Sequence, residues 1–160
     1  MTSTHPAIQQ LLLLLDEAFQ RKSWHGTNLR GSIRGLTLDE SLWRPGEERH
    51  NIRELVVHAA YWKYSVRRRI TGEARGSFPI EGSNWFERTG GEKEWKADVV
   101  LLVAEHRKLR QAVETLRPRQ LEEVPAGSKF TYGGLIRGAA AHDLYHCGQI
   151  QFLKRLRNEK

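Results

Sequence analysis

The sequence predicts an all-α protein, a bundle of four long helices, and three observations carry that prediction. Apolar residues recur at steps of three and four through four long segments, no stretch shows a convincing period of two, and the segments are bounded by residues that start and stop helices. A chain of 160 residues with 39% apolar side chains has the size and the material for one core, so residues 1–160 are expected to form a single domain.

The first helix is expected from about Pro6 to Ile33, with Pro6 tolerated in the first turn and Leu11, Leu15, Ala18, Leu29 and Ile33 facing inward. Gly26 and Gly31 weaken its second half. A connector follows in which Thr37 caps a single turn and Glu40 reaches back to it, before "RPGEERH" breaks the chain. The second helix opens at "NIRE", with Asn51 as cap and Glu54 as its reciprocal partner, and stops at Gly72. Its inner stripe is Ile52, Leu55, His58 or Ala59, Trp62, Val66 and Ile70.

Between residues 72 and 91 lie five glycines, Pro79 and the aromatics of "SFPIEGSNWFERTGG", a long loop of the kind that often forms a lid or rim. The third helix spans roughly Glu92 to Leu116, where "RPRQ" ends it, with Val99, Leu102, Val103, His106, Leu109 and Val113 inward. The fourth starts near Thr131 and runs almost to the end, with Leu135, Ala139, His142, His146, Ile150 and Leu153 along its seam. Four amphipathic helices with no strand make a helix bundle.

Composition narrows the function. The lone Cys147 rules out an intramolecular disulfide framework and suits a reducing compartment, the cytoplasm. The apolar run Leu11 to Leu15 is too short to cross a bilayer and lacks the flanks of a secretory signal, so a soluble protein without a membrane partner is expected. The formal net charge is +7, but the basic clusters "RRR", "HRKLR" and "KRLR" all fall in helical patterns and read as solvated faces. No zinc-finger spacing, aromatic RNA-binding motif or leucine zipper accompanies them, and nucleic acid is not the expected partner.

The stretch "AHDLYHCGQI" sharpens the question. His142 and His146 are four residues apart and so share one helix face, on the inner seam. His58 holds the corresponding place on the second helix, where leucine would be ordinary. One buried histidine is usually a hydrogen-bonded core residue. Several without partners leave polar nitrogens unsatisfied at about 1 to 3 kcal/mol each, and a shared divalent cation would satisfy one nitrogen on each. His106 also falls on an apolar stripe, as a fourth ligand or a donor behind the others. His25 is a weaker candidate, and His5 and His50 are expected to be solvated.

"NIRELVVHAAYWK" around His58 together with "LIRGAAAHDLYHCGQIQFLKRL" around His142 and His146 resembles the DinB-like family of four-helix-bundle metalloenzymes. "GLTLDESLWRPG" and "EWKADVVLLVAEHRKLRQAVETL" are similar to that family too, so the resemblance covers nearly the whole chain. It implies an up-down-down-up bundle holding a divalent metal, zinc or nickel, on His58, His142 and His146. It also implies a homodimer, and an activity like that of the thiol-dependent S-transferases and the mycothiol-dependent maleylpyruvate isomerase of that family.

Three neutral histidines leave coordination positions open, as in catalytic sites. An open metal activates water or holds a low-molecular-weight thiol as thiolate. The expected function is therefore a metal-dependent enzyme, transferase-like with a thiol cosubstrate or hydrolase-like with water, acting on a small electrophilic substrate. Phe78, Trp85 and Phe86 would line the substrate mouth or cap the open bundle end. "HDLYH" is similar to the H-E-x-x-H helix of zinc proteases with Asp143 in place of glutamate, but no third ligand follows where those enzymes carry it. Asp143 is expected as an exposed or cap-like carboxylate, with ordering a ligand or accepting a proton as its functional alternative. Cys147, about 100° around the helix from His146, is expected to pack as a bystander. The alternative from another class is a non-catalytic binding module linked to stress or DNA damage, with a structural metal.

Overall fold

The computed structural model describes residues 5–159, which contain helices but no strand. The helices are α1 (Pro6–Phe19), α2 (Leu29–Ser32), α3 (Leu38–Leu42), α4 (Ile52–Thr71), α5 (Glu92–Glu114) and α6 (Tyr132–Asn158), with a 3₁₀ turn at Pro118–Glu122. The four long ones close a ring in which α4 packs on α5 and α6, and α1 packs on α6 and α5.

Side-chain pairings give the directions. Arg53 meets Asp98 and Arg67 meets Glu105, so α4 and α5 are parallel. Asp16 meets Arg110 while Phe19 stacks on His106, so α1 opposes α5. His58 meets His146 while Trp62 meets His142, so α4 opposes α6. The result is the up-down-down-up bundle.

Local chemistry sets the boundaries. Asn51 accepts the Glu54 amide at 2.8 Å and Glu54 accepts the Asn51 amide at 3.2 Å, a reciprocal cap on α4. Gly72 ends that helix at φ 74°, a left-handed conformation that costs glycine little. Thr37 and Glu40 cap α3 in the same reciprocal way, and Thr131 accepts the Gly134 amide at 3.0 Å to start α6.

The first predicted helix is a correction. It ends at Phe19, residues 20–28 are irregular, and only α2 resumes the helix. Gly26 sits at φ 94°, and Asn28 caps α2 while its Nδ2 donates 3.0 Å to the Arg21 carbonyl, closing the break. Leu29 and Ile33 are still buried, so the apolar spacing continues across a gap that the backbone does not.

The core falls into two apolar clusters. One gathers Leu11, Leu15, Leu109, Val113, Ile136 and Ala139; the other gathers Phe19, Leu55, Val56, Leu102, Ile150 and Leu153. Buried polar residues Lys63, His106, Asp143 and His146 belong to neither.

The parallel arrangement of α4 and α5 explains the long loop. A 20-residue helix is about 30 Å long, so the chain must travel back that distance before α5 can start. Residues 72–91 return along α4 in steps: the Gly76 amide donates to the Tyr64 hydroxyl, Phe78 packs on Tyr61, Asn84 meets His58, and the Gly90 carbonyl accepts from Arg53. This path carries the loop across His58.

Candidate metal centre

His58 on α4 and His142 and His146 on α6 converge. Their Nε2 atoms are 3.2 Å apart for the His58–His142 pair and 2.9 Å for His142–His146, and one ligand atom from each of the three lies within 4.8 Å of the others. Nitrogens sharing one zinc ion at about 2.05 Å stand about 2.9–3.4 Å apart for angles between 90° and tetrahedral. The triad can hold a metal ion.

The outer nitrogens show why. A carbonyl only accepts, so the 2.7 Å contact from His58 Nδ1 to the Asn84 carbonyl places a proton on Nδ1 and leaves Nε2 with a bare lone pair. His146 Nδ1 likewise donates to Gln149 Oε1 at 2.6 Å. Two lone pairs thus face His142 Nε2, which has at most one proton to share between them. That donor set fits a cation.

Burial acts in the same direction. Desolvation, reinforced by the neighbouring histidines, lowers the His58 pKa to about 4 and that of His142 to about 3, and desolvation lowers that of His146. All three are neutral and ligand-competent at pH 7.

The loop residue Asn84 adopts φ 65°, a region asparagine tolerates better than most residues. In that pose its carbonyl reaches His58 and its Oδ1 accepts the Trp62 indole N–H at 3.0 Å. Trp85 lies between two imidazoles, stacked on His58 at 3.8 Å and on His50 at 3.5 Å. Of the loop aromatics, Trp85 therefore joins the centre, whereas Phe86 is buried and Phe78 packs on Tyr61, Tyr64 and Phe86 as part of the bundle's flank.

The other candidates sort differently. His106 does not join the triad: it stacks on Phe19 at 3.9 Å, and its Nδ1 faces the Lys63 ammonium at 3.5 Å. Its Nε2 points toward Asp16 at 3.5 Å without hydrogen-bond geometry. Desolvation and the charge of Lys63 push its pKa down to about 2. His25 and His5 are exposed, and His5 accepts the Ala7 amide as cap of α1. His50 is also exposed but not merely solvated, since it contacts Glu54 as well as Trp85.

Asp143 is a second correction. It is 1% exposed and pairs with Lys63, itself 1% exposed, because the face of α6 adjacent to the histidine seam is turned inward against α4. Cys147 packs as expected, with its thiol donating to the Thr27 carbonyl and raised in pKa by burial.

Two cavities flank the triad. One of about 490 Å³ lies between α4 and α6 and ends at His142. The other, about 520 Å³, includes His146, Trp85, His50, Tyr145 and Phe152. A bundle with three inward histidines from two helices and a cavity on either side places the chain in a class, helical proteins whose core side chains could hold a metal ion. The chain belongs to the DinB superfamily, whose family model matches residues 22–150. No curated protein and no solved structure matches it.

Proposed function

We propose that this protein is a metal-dependent enzyme in which His58, His142 and His146 hold a divalent ion, zinc or nickel, and in which a low-molecular-weight thiol is transferred to a small electrophilic substrate. The observation that carries the reading is the convergence of three Nε2 atoms, two of them left with bare lone pairs because acceptors behind them hold the Nδ1 protons. Such an ion, when bound, supplies a positive charge that favours thiolate over thiol.

The residues around it have separate tasks. Asn84 and Gln149 fix the tautomers of His58 and His146, and Trp85 holds the His58 ring on its face. The two cavities meeting at the triad favour two organic reactants over one reactant and water. Hydrolysis is further disfavoured because Asp143, the nearest carboxylate in sequence, is engaged by Lys63. The non-catalytic reading draws on the basic clusters. Several of their members are engaged within the molecule instead: Arg67 by Glu73 and Glu105, Arg110 by Asp16 and Glu114, and Arg157 by Asp39 and Glu40.

The remaining parts of the reading are a single domain, a cytoplasmic setting and a homodimer. No helix among the described residues is long and apolar enough to cross a membrane. Tyr145 and Phe152, one heptad apart on α6, are 64% and 62% exposed, which suits burial against a second copy.

The test is metal content of untagged protein, wild type beside His146→Ala, followed by a panel of low-molecular-weight thiols with a chloronitroaromatic electrophile. One ion per chain in the wild type, its loss in the variant and thiol-dependent turnover are expected. A wild type that takes up neither zinc nor nickel sinks the reading.

A further inference from the structure

The cavity that ends at His142 has a direction. Along α4 its lining runs from Trp62 through Val66 to Arg69, and along α6 from His142 through Gly138 to Leu135. Seven residues of helix advance about 10 Å, and the guanidinium turns back about one turn toward Ser65, so it lies roughly 5–10 Å from the histidine end. Between them most of the wall is apolar, Trp62, Val66, Leu135, Ala139 and Phe130, and the Lys63 that also lines it is already paired with Asp143.

Arg69 is the unusual member. It is half-buried, and no carboxylate lies within ion-pair distance among the described residues; Nη1 alone is engaged, by the carbonyl and hydroxyl of Ser65. Arg67, two residues earlier on the same helix, is by contrast held by Glu73 and Glu105. Lys129 stands at the same rim. A partly desolvated cation without a counter-charge, at the end of an apolar cavity, calls for an anion from outside. Gly138 also lines the cavity. Gly138 lies in mid-helix at about 1 kcal/mol against alanine, and a Cβ added there meets nothing within 4 Å, so any larger side chain would project into open space.

We propose that this cavity binds the electrophilic substrate, and that the substrate is an apolar molecule with an anionic head group roughly 5–10 Å from its reacting carbon. Arg69 and Lys129 take the head group, the apolar body lies over Gly138 and Val66, and the reacting end reaches His142. Assigning the occupant as the substrate rests on the metal-enzyme reading above.

The experiment titrates 4-phenylbutyrate, an apolar body with one terminal carboxylate, into metal-free and zinc-loaded full-length protein, by calorimetry and by amide chemical shifts. Saturable one-to-one binding to both forms is expected, with shifts at Gly134, Gly138 and Lys129. Arg69→Gln, and 4-phenylbutanamide in place of the acid, each weaken binding at least tenfold. Gly138→Leu abolishes it while leaving zinc stoichiometry unchanged. No saturable binding to the wild type, or binding indifferent to both R69Q and G138L, overturns the proposal. So does binding seen only with zinc and insensitive to R69Q, since the carboxylate then goes to the ion. Zinc uptake is measured in the same samples. Zinc uptake without any phenylbutyrate binding refutes the cavity assignment alone, and phenylbutyrate binding by protein that takes up no zinc on loading supports the cavity while refuting the metal.

Discussion

Lys63 of α4 and Asp143 of α6 form an ion pair in the interior of the bundle, both 1% exposed, and Asp143 directly follows the histidine at position 142. Removing one partner strands the other charge in a low dielectric. Lys63→Met is therefore expected to destabilise the fold by about 3–5 kcal/mol, whereas Lys63→Met combined with Asp143→Leu recovers most of that loss. Urea unfolding of the two variants beside wild type checks it; a double variant no more stable than the single one would show that the pair does not act as a unit.

Acid should unfold the metal-free protein through its buried histidines. His58, His142 and His106 have folded pKa values near 4, 3 and 2, against about 6.5 when unfolded. Between those limits the unfolded chain binds more protons than the folded one, so stability rises with pH there. It is complete above about pH 6.5 and is lost as pH falls, by up to about 1.4 kcal/mol per pH unit for each histidine. Urea midpoints at pH 8, 7, 6 and 5 should be level over the first two and fall over the last two. His106→Gln should make the decline shallower.

Much of this architecture was legible because it is written locally. The Asn51–Glu54 cap, the Gly72 stop and the four-residue step from His142 to His146 each involve residues within one or two turns. His58 was legible from its place on an apolar stripe. What escaped depends on distant partners. Asp143 reads as an exposed acid until Lys63, 80 residues away, is brought against it. Asn84, Arg69 and His50 carry no motif at all, and their roles follow from where the returning loop crosses α4 and from which acids fail to reach them. The break between α1 and α2 was hidden because Leu29 and Ile33 stay buried across it.

Trp85 should act as the clasp of the returning loop. Its indole is held between His50 and His58, next to the Asn84 carbonyl that His58 engages. Trp85→Ala removes both stacks, worth about 0.5–1.5 kcal/mol each beyond the area buried. Trypsin cleavage at Arg75, which is exposed in the same loop, should then accelerate while the helical circular-dichroism signal stays unchanged. Equal cleavage rates in the two proteins would assign the loop's anchoring to Phe86 and the Arg88–Asp98 pair instead.

Gln149 offers the sharpest separation between a metal centre and a cluster of core histidines. Its Oε1 accepts from His146 Nδ1 at 2.6 Å, which orients the ring and leaves Nε2 free to bind. Gln149→Leu keeps all three histidines and much of the side-chain volume but removes that acceptor. Zinc affinity, measured by competition with a chelator of known strength, is expected to fall about 10- to 100-fold, as partners behind metal-binding histidines typically contribute. Thermal stability of the metal-free variant should fall by no more than about 1–3 kcal/mol, the cost of leaving the His146 Nδ1–H without its acceptor, because Gln149 is only partly buried and its loss creates no interior cavity. The opposite outcome, unchanged zinc affinity with a large stability loss, would mean that Gln149 supports the packing of α6 and plays no part in presenting His146 to an ion.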